Sequence, residues 1–402
     1  MSQPTEPEAT LGVVDVPAGH WLTRLPNAGP LFGAALLIGA SFVDYRDRSG
    51  FYFSFFSACI FFLSVTLGAL GFVLLQFTTR SSWSVAVRRL AEATMGAMPS
   101  LFALFFVAGF GFRYLFPWIF PSLLRTEPAI AGRFPYFKEQ ILLLRGAIYF
   151  AIWWSAAWFF RNQSADQDIT SNPDVTRRLQ RFAPIALLLS ALAASSAAFD
   201  WLMPLDPYWS SPLFGLYFCV GCAIAGVAWI VLLANGLQRV GFIRLAVGAG
   251  HWQRLGALLL AALALWWLIV GSQLLATRFI GLEDESSWLL LRWRDPWRTL
   301  SLVLLAGQAL ALLALLSVRV RRRAGALAII AGSLLALRAV DSVLLVIPAR
   351  GHLEPRLALT AVGTWLGVAG LFTGVFSHLL VRESLVAERD PRLAQSIHFD
   401  RL

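Results

Sequence analysis

YFSFFSACIFFLSVTLGALGFVLLQFT, residues 52–78, runs for 27 positions without one Asp, Glu, Lys, Arg or His. About 20 helical residues cross a hydrocarbon core of about 30 Å, so this stretch is long enough to span a membrane. It shows no ten-residue alternation of apolar and polar side chains, which favours a helix over a strand of a membrane barrel. Nine further runs bounded by charges or by Pro and Gly stand at about 29–44, 97–117, 140–161, 182–203, 209–235, 254–279, 298–318, 324–347 and 357–381. Across 402 residues the chain is 58% hydrophobic and 14% charged, against roughly 25% charged in soluble proteins. A soluble fold is excluded, and a mean hydropathy of +0.67 excludes disorder. The expectation is an all-α integral membrane protein with about ten transmembrane helices.

The net charge of +10, from 33 Lys+Arg against 23 Asp+Glu, would point to nucleic acid in a soluble chain. Here the arginines crowd the short connections, and lipid is the expected contact. Placing the N-terminus inside makes cytoplasmic the connections that hold Arg80, Arg88 and Arg89, then Arg177, Arg178 and Arg181, then Arg239 and Arg244, then Arg319, Arg321, Arg322 and Arg323. The C-terminus, with Arg382, Arg389 and Arg392, falls inside as well. Arg113, Arg125, Arg133 and Lys138 on the third connection, and Arg292, Arg294 and Arg298 on the seventh, run against this pattern. The acidic leader from Met1 to Pro26 has no cleavage-site pattern and does not read as a signal peptide. Ser82 to Thr94 sets Trp83, Val87 and Leu90 at helical spacing among Arg88, Arg89 and Glu92, which predicts a short amphipathic helix lying on the cytoplasmic face. Trp118, Trp201, Trp209, Trp288, Trp293 and Trp297 sit near span ends, as an interfacial aromatic belt does.

An ionisable group inside a span costs several kcal/mol unless it is paired or faces a cavity, so each is a site candidate. Arg145, Asp200, Gln273, Arg338 and Asp341 fall in the outer third of four spans, with Glu139 and Arg278 nearer the surface. Asp341 lies three residues from Arg338 on one helix, which permits an internal salt bridge, and a proton-accepting role stands as the alternative. Asp200 has no basic neighbour on its own helix, so it either finds a partner elsewhere or binds a proton. Helices packed around one cavity would draw Asp200 toward Arg145. The expectation is that both aspartates line a polar pocket, with at least one free of a direct arginine contact. Gln76, Gln308 and Glu92 continue the polar series inward, as proton-path residues or as hydrogen-bonding links between helices. Cys59, Cys219 and Cys222 lie in apolar runs. The last two, beside Gly215 and Gly221, read as packing residues, as do Gly68 and Gly71. His251, His352 and His378 lack the placement that bis-His haem ligation needs, and no metal site is read from this chain.

Five stretches carry a resemblance. They are SFFSACIFFLSVTLGALGFVLLQFTTRSSWSVAVRRLAEA (54–93), RGAIYFAIW (145–153), AFDWLMPLDPYWSSPLFGLYFCVG (198–221), RAVDSVLLVIP (338–348) and RDPRLAQSIHF (389–399). In this order the chain resembles the second quinone-binding-type membrane subunit of alternative complex III, a bacterial quinol:cytochrome c oxidoreductase. That subunit belongs to the NrfD-like, polysulfide-reductase-type membrane superfamily. The most specific piece is the set Phe199, Asp200, Trp201, Met203, Leu205, Pro207 and Trp209. The resemblance implies two four-helix bundles, over 52–203 and 204–347. A leader (1–28), a peripheral first span with its loop (29–51), and a last span with a cytoplasmic tail (348–402) flank them. It implies a bacterial inner-membrane location and partners: a paired NrfD-like subunit, an iron–sulfur subunit, multihaem and monohaem cytochromes c, and a terminal oxidase. Haem c and the clusters belong to those partners. No cofactor is bound by this chain, quinol is the substrate class, and the chain is not catalytic by itself. Asp200 and Asp341 are then the proton-acceptor candidates, with Arg145, Gln273, Arg338 and Trp201 around the pocket and Glu92, Gln76 and Gln308 along a proton path. No intramembrane histidine accompanies either aspartate, so the quinol site belongs either to this chain or to its paired subunit. A secondary transporter and a structural scaffold are the alternatives from other classes.

Overall fold

The computed structural model describes residues 15–43, 47–116, 136, 138–207, 209–280, 283–351 and 355–401. Arg125, Arg133, Trp118, His352 and most of the leader lie outside the described residues, as does the side chain of Arg278. Ten helices among the described residues are long and apolar enough to cross a membrane, so the chain is an all-α multi-span membrane protein. The long helices are α1 (Leu25–Val43), α2 (Ser49–Thr78), α3 (Val85–Met95), α4 (Met98–Gly109), α5 (Glu139–Thr170), α6 (Pro173–Trp201), α7 (Phe214–Val240), α8 (Ala249–Ile280), α9 (Glu283–Arg292), α10 (Trp297–Leu316), α11 (Ala324–Val346) and α12 (Pro355–Arg382), followed by a short α13 (Leu393–Ile397).

Local chemistry sets the breaks. Ser171 adopts a left-handed conformation after α5, Asn172 accepts the Asp174 N–H with its side chain, and Pro173 opens α6, where its missing N–H costs nothing. Gly241, at φ +112°, ends α7. Along α6 the outward positions Ile185, Leu188, Leu189 and Leu192 are exposed and apolar, as a lipid-facing surface requires.

Helix α2 is the buried axis. It touches α4 and α6, while α4 touches α5 and α5 touches α6, closing one ring of four. A second ring closes through α7, α8, α10 and α11. The rings meet where α2 packs on α7, and the approach is backbone to backbone: a Cβ on Gly68 would overlap the Cys222 carbonyl, and one on Gly226 would overlap Gly68. Gly71 differs from its reading as a close-packing position, since nothing lies within 4 Å of where its Cβ would be, and it lines an apolar cavity instead. Outside the rings, α12 packs on α2 and α1 packs on α12 through Gly29, Gly33, Gly367 and Gly370.

Three sequence expectations are corrected. The third span starts at Val85, before the expected 97, because α3 runs into α4 across only Gly96 and Ala97. Helix α3 therefore does not lie on the membrane surface; every one of its residues is buried. Its charges find partners inside the protein. Arg88 donates to Glu92 (2.9 Å) and Asp390 (2.7 Å), while Arg89 donates to Glu92 (2.9 Å) and pairs with Asp168. Trp201 and Trp209 are likewise buried in the fold, away from a lipid belt, whereas Trp293 is exposed.

Candidate functional site

The expected single polar pocket is two separate clusters at one end of the molecule. In the first ring, Arg145 and Tyr149 stand one turn apart on α5 and share a face, opposite Asp200 near the end of α6. Arg145 donates to both carboxylate oxygens, Nε to Oδ2 at 2.7 Å and Nη2 to Oδ1 at 3.1 Å. Tyr149 donates to Oδ2 at 2.6 Å and Tyr136 to Oδ1 at 3.1 Å. The Arg145 guanidinium also sits 3.8 Å over the Tyr136 ring. A carboxylate has about four lone-pair sites, and four donor atoms occupy them at a fully buried residue. Asp200 is thus held as the anchor of a cross-helix ion pair, and the expectation that one aspartate escapes arginine fails here because α5 supplies the cation that α6 lacks. Burial and the neighbouring Asp200 push the Tyr136 phenol up, so it remains a donor. Trp201 packs among Phe105, Phe150, Tyr149 and Trp153 and borders an apolar cavity of about 270 Å³.

In the second ring Arg338 pairs with Asp341 through Oδ2, and Tyr217 on α7 donates to Oδ1. The Arg338 guanidinium lies so close to Gly221 that a Cβ there would meet it, which explains a small residue at that position of α7. This aspartate also contacts arginine, so neither is free of one. It differs from Asp200 in its surroundings. Among the described residues two donors hold it, leaving about two lone-pair sites without a described partner, and it faces a cavity of about 120 Å³ among α7, α8, α10 and α11, covered by α9. The walls are aromatic: Trp209 and Trp288 stack face to face with centroids 4.5 Å apart, and Phe214, Tyr217 and Trp266 complete them. Gln273 on α8 donates to Ser211 at 3.0 Å, and both line the cavity. Its volume, about 120 Å³, is a little below the roughly 150 Å³ of a cavity that holds a benzene ring, and its polar groups suit a small ring bearing hydrogen-bonding groups.

The remaining sequence candidates lie elsewhere. Glu92 is part of the buried α3 ion cluster at the opposite end, and Gln76 is buried near the end of α2 on that side. Gln308 is fully buried on α10, and neither of its side-chain amide atoms has a hydrogen-bond partner among the described residues. Sequence reasoning missed Tyr149, Tyr217 and Arg292. Tyr149 was legible as the residue four beyond Arg145; Tyr217 comes from a different helix than the carboxylate it serves, and no local pattern announces it. Arg292 counted in the sequence as a loop charge, but it is 6% exposed and lines the cavity. Compared with known proteins, the chain matches no family model and no curated protein.

Proposed function

We propose that this chain is a membrane subunit of a quinol:cytochrome c, or quinol:oxidase, electron-transfer complex, and that the cavity beside Asp341 takes the quinol ring. The observation that carries the reading is the pairing of a ring-sized aromatic cavity with a carboxylate that keeps lone pairs open toward it. Aromatic walls with a few convergent polar groups are what a planar, apolar ring with two hydroxyls requires. Asp341 accepts one quinol hydroxyl, and Tyr217 and Arg338 fix the carboxylate that does so. Gln273 and Ser211 supply further polar contacts. The five stretches on which the resemblance rests support the same reading, since they include Asp200, Asp341, the α3 ion cluster and the tail that closes it. Haem c and iron–sulfur centres of the partner subunits receive the electrons, at the membrane face where the cavity lies. The arginine-rich connections support a bacterial inner-membrane topology with the opposite face, and both termini, cytoplasmic.

The test is Asp341→Asn in the purified complex, with quinol-dependent cytochrome c reduction and subunit composition both measured. Asparagine keeps the size and one acceptor oxygen but takes no proton. The expected outcome is intact assembly with turnover lowered about a hundredfold or more, the contribution of one positioned acid–base group. Unchanged turnover would assign the chain a structural role only, and isolation without haem, iron–sulfur or a sister membrane subunit would remove the complex altogether.

A further inference from the structure

Among the described residues two charged side chains line the cavity, Asp341 and Arg292. Asp341 is paired with Arg338, whereas Arg292 has no carboxylate at ion-pair distance among the described residues. Its guanidinium is fixed by other means. Nε donates to the Leu344 carbonyl at 2.8 Å, Nη1 to Trp288 at 2.9 Å and Nη2 to Leu345 at 3.3 Å, with the plane 3.6 Å over the Trp288 ring. Leu344 and Leu345 are the last turn of α11, where carbonyls lack helical partners and the dipole favours a cation. Three of the five guanidinium N–H groups are therefore used and two remain, on a side chain 6% exposed. Burial draws the group down to about 9, an effect that Asp206, Tyr217 and Asp341 partly offset, so it stays charged at neutral pH. A buried charge met by carbonyl dipoles and a ring face, with acidic groups only at longer range, is incompletely compensated.

We infer that Arg292 is an oxyanion-binding residue, whose free N–H groups receive an anionic or strongly accepting oxygen of the molecule lodged between the Trp209–Trp288 stack and Asp341. The ring identity rests on the quinol reading above; the oxyanion chemistry does not. On that reading the ring is oriented, with one oxygen toward Arg292 and the opposite hydroxyl toward Asp341. An acidic quinone oxygen and a lipid carboxylate share this chemistry, and the experiment separates them.

The full chain in nanodiscs of neutral lipid is titrated by its tryptophan fluorescence with three probes: an alkylated hydroxybenzoquinone, which is an anion at neutral pH, its non-hydroxylated parent with the same tail, and laurate. The native chain is expected to bind the hydroxyquinone about tenfold or more tighter than the parent. Arg292→Gln removes that preference while leaving the parent's affinity in place, and Arg292→Lys restores part of it. Equal affinity of the native chain for the two quinones, which needs no variant to measure, overturns the inference. So does an Arg292→Gln loss that is the same for both quinones, because that marks a wall residue and no oxyanion contact. Laurate binding that depends on Arg292, with neither quinone bound, upholds the oxyanion site and sinks the quinol reading. Absence of binding by all three probes overturns both.

Discussion

The two buried aspartates show how the same residue type reaches different chemistry through the number of donors around it. Asp200 is saturated by Arg145, Tyr149 and Tyr136, whereas Asp341 keeps open lone pairs beside a cavity. A carboxylate with every lone pair occupied cannot take a proton without first losing a bond. For Asp200 the measurable property is accordingly stability. Removing one member of a buried ion pair leaves the other charge unpaired and costs about 3–5 kcal/mol when that charge is fully buried, and less when it is partly solvated. Arg145→Ala is expected to destabilise the chain by about that amount in denaturant unfolding, and Asp200→Asn by clearly less. The cost falls on Arg145→Ala because Asp200 is fully buried while Arg145 is partly solvated and can lose its partner more cheaply. Equal, small effects of both substitutions would show that the pair contributes little beyond its geometry.

At the scale of elements, α3 teaches the most. Its alternation of Trp83, Val87 and Leu90 with Arg88, Arg89 and Glu92 is compatible with a lipid surface or with a polar interior, because a pattern records which face is polar and not what that face meets. The deciding partners are Asp168 on α5 and Asp390 in the tail, and pairing across such sequence separations leaves no local trace. The spans themselves were legible because length and apolar composition are local properties. The depth of Asp200 and Asp341 was legible for the same reason, as was the pairing of Asp200 with Arg145 at like depth, while Tyr217 and Arg292 were not assignable without the packing. The tail contact has its own pH signature. Burial alone would raise the Asp390 carboxyl, but Arg88 and Arg392 outweigh it and hold the group at about 2, below its ordinary 3.8. A carboxyl lowered on folding stabilises the folded chain fully above its ordinary value and loses that contribution as pH falls through the lowered one. The tail, quiescent at neutral pH, is therefore expected to become cleavable by pepsin as pH falls from 3.8 toward about 2. Asp390→Asn should expose it without that pH step; a tail equally resistant in both forms at every pH would dissociate tail docking from this carboxylate.

For the whole molecule, two rings of helices joined at Gly68 and Gly226 place both aspartate clusters at one end and the α3 ion cluster at the other. With ten crossings, the start of α1 and the end of α12 share a face with the turn at Asp174 and the run from Arg319 to Arg323. The seventh connection opposes this assignment in a simple count of arginines, yet the burial of Arg292 removes one of its three charges from the loop, because a guanidinium bonded to helix carbonyls is not a free topogenic charge. What remains favours the arginine-rich face as cytoplasmic. The three native cysteines all lie within spans, and Cys59 and Cys222 are buried, which leaves exposed positions clear for single labelling sites. With Cys219 changed to Ser, Asp174→Cys and Arg319→Cys are expected to resist a membrane-impermeant thiol reagent in intact cells and to react after lysis. Ser210→Cys, exposed at the opposite end, reacts in intact cells. The reverse pattern would put the Asp341 cavity on the cytoplasmic face, away from the external cytochromes to which the proposed electron path leads, and the quinol:cytochrome c reading would lose its geometry even if the cavity bound quinol.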